Sequence, residues 1–151
     1  MTLEKKMTDY RTENDSIGQV RVPKQKYWGA QTQRSLENFK IGSDKIPIFF
    51  IKSFAMQKKA AAISNIALDN LDNKLGQEII NVCDEIMDGK LDDHFPLSVW
   101  QTGSGTQTNM NLNEVIANKA NQNLGKNLGE YSPIHPNDHC NLGQSSNDSF
   151  P

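Results

Sequence analysis

The feature that most constrains this chain is an uncharged polar stretch at residues 101–113, which leads directly into an apolar-periodic segment at 114–120. Its thirteen residues, QTGSGTQTNMNLN, include two glycines and four hydroxyl side chains. Glycine reaches positive φ easily and lets a ligand approach the backbone, so Gly103 and Gly105 favour a tight loop at this point. The stretch therefore predicts a loop that ends in a helix N-terminus.

Asparagine is a preferred N-cap residue, so Asn109, Asn111 and Asn113 predict a helix that begins near Asn113 and ends at Gly125. The N–H groups at a helix start attract anions. Because the stretch has no Lys or Arg, neutral donors would hold the anion, which suits a small carboxylate better than a polyphosphate. A turn that only caps the helix is the alternative. A nucleotide loop is disfavoured, because Thr108 stands where a dinucleotide fingerprint has its third glycine.

A second donor-rich stretch, HPNDHCNLGQSSND, follows at residues 135–148. Together the two stretches resemble the class II fumarase family of the fumarase/aspartase superfamily. The matching motifs are GSGTQTNMN at 103–111, NEV at 113–115, HPND at 135–138, QSSND at 144–148 and YWGAQTQRS at 27–35. The resemblance spans nearly the whole chain, and its long first motif is highly specific.

The resemblance implies a fumarate hydratase, which adds water reversibly to fumarate to give L-malate in the citric acid cycle, with no metal or other cofactor. The substrate-binding residues that it implies are Ser104, Gly105, Thr106, Ser145, Ser146 and Asn147. The second dicarboxylate site that it implies comprises His135, Pro136, Asn137 and Asp138. The family's catalytic histidine and mobile-loop serine match no residue of this chain, so we assign no catalytic residue.

The resemblance also implies a mainly α fold, with an N-terminal lyase domain at residues 1–144 and the start of a central helical domain at 145–151. The bundle of that central domain would lie outside this sequence. A run of N-cap residues at 145–148, with Pro151 placed for a first helical turn, predicts a helix and a reading frame that continues. We therefore expect an N-terminal portion of a homotetrameric enzyme, inactive alone, because the family builds each site from three subunits.

Local signals predict further elements. Apolar alternation around a glycine at residues 17–22 predicts a short hairpin or an extended arm. Pro47 and the apolar run after it predict a long helix. A second periodic segment, capped by Asp72 or Asn73, predicts a helix that stops at Gly89.

Composition excludes several classes of protein. Sixteen basic and eighteen acidic residues give a net charge of −2, without the basic surface that nucleic-acid binding requires. No apolar run approaches the roughly 20 residues of a membrane span, and the charged N-terminus has no signal-peptide core. Cys83 and Cys140 lack a disulfide spacing, which favours a reducing compartment. We expect a cytoplasmic protein whose partner is a small dicarboxylate such as fumarate or malate.

Several alternatives stay open. His135, Asp138, His139 and Cys140 offer mixed metal ligands within six residues, but this spacing is too tight for the separated pairs of a zinc site, so no metal is expected. His139 and Cys140 are interpreted as structural, and His94 as a solvated or capping histidine in an acidic loop. Among functions, the rivals are an aspartate ammonia-lyase of the same superfamily and a non-catalytic module that retains the first domain.

Overall fold

The structure is a computed structural model and describes residues 9–151. A β-hairpin precedes a set of helices: β1 (Tyr10–Asp15), β2 (Gly18–Pro23), α1 (Ala30–Asn38), α2 (Ile48–Ala67), α3 (Asn73–Met87), α4 (Thr106–Asn123) and α5 (Ser146–Ser149). A 3-10 turn at Asp92–His94 and a π-helical turn at Pro136–Cys140 lie in the connections. The predicted mainly α fold with one hairpin is confirmed. The predicted domain boundary after residue 144 stays a prediction, and residues 1–8, where no signal peptide is predicted, lie outside the described range.

The hairpin is antiparallel, with Tyr10 paired to Pro23 and Asp15 to Gly18. Asp15 closes the turn, because its carboxylate accepts hydrogen bonds from the backbone N–H groups of Ile17 and Gly18. Only one face of the ribbon is covered, which explains the apolar alternation seen in the sequence.

The α2 helix begins where Pro47 predicts but ends at Ala67, before Leu71, the last residue of the predicted apolar run, whereas α3 begins and ends where the local signals predict. Pro47 stands at the N-cap of α2, where its missing N–H has no cost. Asp72 caps α3 by accepting a 3.0 Å hydrogen bond from the N–H of Leu75. Gly89 follows α3 with a left-handed φ of +81°, the conformation that glycine adopts most readily at a helix end.

The α4 helix corrects the first prediction. It begins at Thr106, seven residues before the predicted start at Asn113, and its N-cap is Gly105 with a left-handed φ of +71°. The three asparagines proposed as caps lie inside α4 and are almost completely buried. Their amides bond to groups on neighbouring segments instead of capping their own helix, and such tertiary contacts override an N-cap preference.

A distant carboxylate caps α1. Its N-cap residue, Gly29, has no side chain to accept hydrogen bonds. Glu114 of α4 replaces it, accepting from the N–H groups of Gly29, Gln31 and Thr32 and from the Thr32 hydroxyl at 2.6–3.2 Å. Burial raises the pKa of Glu114 to about 7, while these donors oppose the rise by favouring the carboxylate. The α1 and α4 helices are thereby fixed to each other.

His94 also differs from its predicted role as a solvated or capping group. The side chain is half-buried, packs against the Tyr27 ring with centroids 4.6 Å apart, and accepts a 3.0 Å hydrogen bond from the N–H of Tyr27 at Nδ1. It therefore joins the 3-10 turn to the segment that enters α1. Among the helices of the described range, none has the length and apolarity needed to cross a membrane.

Candidate functional site

The structure brings the two donor-rich stretches together. The Oγ1 atom of Thr106, the first residue of α4, lies 2.9 Å from the Oγ of Ser146, the first residue of α5, although the two are forty residues apart in sequence. The Oγ of Ser104 lies 3.2 Å from the same Thr106 oxygen. Three predicted site residues thus form one chain of hydroxyl groups at the protein surface.

Backbone donors adjoin these hydroxyl groups. The N–H of Thr108 is taken by the side-chain oxygen of Gln101 at 3.1 Å, and that of Asn109 by the Gly105 carbonyl. The N–H groups of Thr106 and Gln107 donate to no protein atom within residues 9–151. Such N–H groups, at the positive end of the α4 dipole, are suited to a carboxylate.

Phe150 covers the loop that precedes α4. A Cβ atom built on Gly105 would overlap the Phe150 ring, so glycine is required here by space as well as by its positive φ. The ring packs against Phe50 and Phe54 of α2, with centroids 4.9 and 5.9 Å away. This aromatic cluster fixes α5 over the start of α4. Gly103, the other glycine of the loop, does not adopt positive φ.

The other residues predicted in the second donor set are placed more loosely. Ser145 stands at the N-cap of α5, but its side chain makes no cap hydrogen bond. Ser145 and Asn147 are exposed, and neither side chain contacts a hydrogen-bond partner among the described residues. They lie beside the hydroxyl chain without joining it, so their predicted binding role stays a prediction.

The predicted second dicarboxylate site lies at the π-helical turn. Three of its residues, His135, Pro136 and Asn137, line a cavity of about 300 Å³, whereas the Asp138 side chain is 74% exposed and does not line it. The His135 Nδ1 accepts from the N–H groups of Asn137 and Asp138 at 3.2 and 3.3 Å. The same Nδ1 lies 3.3 Å from an oxygen of the Asp138 carboxylate.

The metal alternative receives no support from the geometry of the turn. Within residues 9–151, no group of three or more His, Cys, Asp or Glu side chains is placed to hold a metal ion. His139 uses its Nδ1 to accept from the N–H of His135 at 2.9 Å. Cys140 is buried, and burial raises the pKa of its thiol to about 12, which disfavours the thiolate that binds metal.

Sequence reasoning missed a buried lysine behind the second stretch. Lys58 of α2 is 1% exposed, and its Nζ donates to the side-chain oxygens of Gln144 at 2.9 Å and Asn141 at 3.1 Å. Burial lowers the pKa of Lys58 to about 8. The available signal was its position on the buried face of α2, four residues from both Phe54 and Ala62.

A family model described as lyase matches residues 18–151. The chain belongs to the lyase family. Its curated relatives include a class II fumarate hydratase of Bradyrhizobium diazoefficiens, 60% identical over 93% of this chain and 30% of the relative, and one of Thermus thermophilus, 59% identical over 95% and 31%. The lyase chain thus spans about 30% of the length of these relatives.

Solved structures agree with this assignment. The class II fumarase of Schistosoma mansoni superposes with a TM-score of 0.91 at 46% identity, over 95% of this lyase chain and 30% of that one. A fumarate lyase of Brucella melitensis, described as fumarate lyase:delta crystallin, gives a TM-score of 0.91 at 43% identity, over 95% and 34%. The resemblance to class II fumarases drawn from the motifs is confirmed.

Proposed function

We propose that the protein to which these residues belong is a fumarate hydratase, which interconverts fumarate and L-malate in the citric acid cycle. The chain supplies part of the dicarboxylate site and no catalytic acid or base. The similarity to class II fumarate hydratases supports this assignment over an aspartate ammonia-lyase or a non-catalytic module. By the same resemblance, we propose a cytoplasmic homotetramer.

The proposed reaction requires hydrogen-bond donors that are directed at a carboxylate of the substrate. Removing a proton from the carbon beside a carboxylate of malate places extra negative charge on that carboxylate, which becomes an aci-carboxylate. Donors aimed at those oxygens stabilise this charge most in the transition state.

The observation that carries the proposal is the contact between Thr106 and Ser146. It joins the hydroxyl groups of two distant segments beside the unused N–H groups of Thr106 and Gln107. We assign Ser104, Thr106 and Ser146 to one carboxylate of the substrate. Gly105 allows the backbone to approach that carboxylate, and Ser145 and Asn147 complete the donor set from the start of α5.

Thr106→Ala tests the assignment in the enzyme that contains these residues. If the hydroxyl acts on developing charge, kcat/KM falls by roughly 10²–10³-fold and most of the loss lies in kcat. The measurement is the change in fumarate absorbance, which falls with fumarate as the substrate and rises with malate. Thr102→Ala is the matched control, because Thr102 lies in the same loop and is exposed. It should leave kcat/KM within about twofold of the wild type.

Three results would contradict the proposal. A loss of less than about threefold in Thr106→Ala removes this hydroxyl from the site. Turnover of fumarate by the 151-residue chain alone would show that the acid and base lie within it, contrary to our assignment. Consumption of fumarate that depends on ammonia would favour the ammonia-lyase alternative.

A further inference from the structure

Lys58 occupies a buried polar cage behind the second donor stretch. Its ammonium donates to two neutral amide oxygens, those of Asn141 and Gln144. The same Asn141 oxygen also accepts from the side-chain amides of Asn109 and Asn113 of α4, at 3.0 and 3.2 Å. Lys58 therefore connects α2, α4 and the segment that follows the π-helical turn at one point.

The segment held in this way leads directly into the proposed substrate-binding residues. Asn141 donates to the backbone carbonyl of Gln144 at 3.0 Å, and Gln144 donates to the carbonyls of Cys140 and Leu142. Residues 141–144 thus form a turn closed by its own side chains and tied to α2 by Lys58. Ser145 is the next residue, so the placement of this turn sets the starting point of α5.

Packing alone does not account for a lysine at this position. An ammonium removed from water costs free energy unless hydrogen bonds compensate for the lost hydration, and apolar residues of similar volume often replace buried charges without loss of stability. A charged donor does form shorter and stronger bonds to amide oxygens than a neutral donor would. The benefit of the charge is therefore the fixed position of the two oxygens that it holds.

We propose that Lys58 is a positioning residue, whose ammonium fixes the 141–144 turn and thereby holds Ser146 against Thr106 in the geometry that binds a substrate carboxylate. The inference rests on the proposed function, because the segment that Lys58 positions is the proposed donor set. Lys58 itself is buried beneath that segment and acts through Asn141 and Gln144.

The surroundings of Lys58 make its titration separable from that of other groups. Cys83 of α3 and Cys140 of the π-helical turn face it, and burial raises the pKa of both thiols. The Phe54 ring lies 5.3 Å from Nζ, and the groups facing it from α4 and the 141–144 turn are amides. Since the pKa of Lys58 is lowered to about 8 by burial, it is the group in this cage that changes charge between pH 7 and 9.

The test uses the intact enzyme that contains these residues, with selective isotope labelling and with L-malate as the probe. Backbone amide signals of Ser146 and Asn147 are followed by NMR from pH 6.5 to 9.5, and malate affinity is measured at pH 7. We expect the wild-type signals to titrate with a midpoint near 8. Lys58→Met should abolish this titration and weaken malate binding about tenfold, because a misplaced donor loses much of its effect.

Lys59→Met is the matched control. Lys59 is the next residue of the same helix, and its ammonium pairs with Asp84 of α3, at 2.7 Å, instead of entering the cage. Its removal should leave both the titration and the malate affinity as in the wild type. If Lys58→Met does not fold, the wild-type titration decides, because the absence of a midpoint near 8 overturns the proposal.

Failure of the inference and failure of the proposed function give different results. If malate binds the wild type and Lys58→Met equally well, Lys58 does not position the donor set. If the Ser146 signals titrate with Lys58 but malate does not bind the wild type, the proposed dicarboxylate function is overturned. In that second case, the coupling between Lys58 and the start of α5 stands.

Discussion

The two halves of α4 bury the same kind of side chain and differ in how fully its hydrogen bonds are satisfied. In the C-terminal half, Asn121 makes a two-way pair with the backbone of Ile134: its Nδ2 donates to the carbonyl at 2.7 Å, and its Oδ1 accepts from the N–H at 2.9 Å. Asn118 likewise donates to the Tyr27 carbonyl and accepts from the N–H of Gly129, both at 2.8 Å.

In the N-terminal half, Asn109 and Asn113 are as deeply buried but less well paired. Both donate to the single side-chain oxygen of Asn141, which also accepts from Lys58. Their own side-chain oxygens are buried with no hydrogen-bond partner among the described residues. Three donors therefore compete for the Asn141 oxygen, while the side-chain oxygens of Asn109 and Asn113 have no donor.

This difference in hydrogen-bond satisfaction divides α4 into a C-terminal half that belongs to the scaffold and an N-terminal half that lies at the proposed site. A fully satisfied buried network stabilises and rigidifies its surroundings, whereas a partly satisfied one costs free energy. The satisfied half anchors the segments that carry Tyr27, Gly129 and Ile134. The unsatisfied half lies beneath the proposed donor residues, where a protein can retain an unfavourable arrangement that serves binding.

Asn121→Ala should give the largest effect, because it leaves both backbone groups of Ile134 buried and unpaired. We expect a loss of about 3 kcal/mol in the free energy of unfolding. Urea denaturation measures it as a lower midpoint with an unchanged slope. A loss below about 1 kcal/mol would mean that the segment carrying Ile134 finds other partners, and the contrast between the halves would fail.

Asn113→Ala makes the same truncation in the other half and should cost about 1 kcal/mol or less. It leaves a similar void, but it also removes an unpaired buried oxygen, and the Asn141 oxygen keeps two of its three donors. The two variants form a matched pair, measured in the same urea series. Equal losses in both variants would show that the burial of these asparagines, and not the satisfaction of their hydrogen bonds, determines their contribution to the free energy of unfolding.

Elements with short-range signals could be predicted from the sequence. The hairpin follows from alternation around a tight turn, and the cap and stop of α3 from Asp72 and Gly89, because these residues act on backbone groups a few positions away. The site residues were predicted by a long and specific motif. Their assembly was not, since no local spacing relates Thr106 to Ser146 across forty residues.

The failures share one physical cause. The start of α4 and the identity of its cap were wrong because its asparagines bond to distant segments, and N-cap preference reports only local geometry. The α1 cap was missed because Glu114 acts from another helix. Lys58 was missed because a lysine in an apolar run is usually exposed, and only the tertiary cage explains its burial.

His94 contacts the N-terminal half of α4 through Asn111 and gives the smallest expected effect. Its carbonyl accepts from the side chain of Asn111, and its Nδ1 accepts from the N–H of Tyr27. Burial, assisted by the nearby positive charge of Lys26, lowers the pKa of His94 to about 4. The folded state thus holds the imidazole neutral at a pH where the unfolded chain binds a proton.

This difference in proton binding makes stability depend on pH. Above the ordinary histidine pKa of about 6.5 both states are neutral and the contribution of His94 is complete. As pH falls from there towards 4, the unfolded state binds the proton first, so the free energy of unfolding decreases. The half-exposed ring keeps the change small, because solvent screens it.

His94→Asn isolates this contribution, because an asparagine oxygen can occupy the place of Nδ1 and accept from the N–H of Tyr27 without titrating. The free energy of unfolding of the wild type should exceed that of the variant most above pH 7, and the two values should converge or cross as pH falls towards 4. Urea denaturation at a series of pH values measures the difference. A difference that does not change with pH would mean that His94 acts through its hydrogen bond alone.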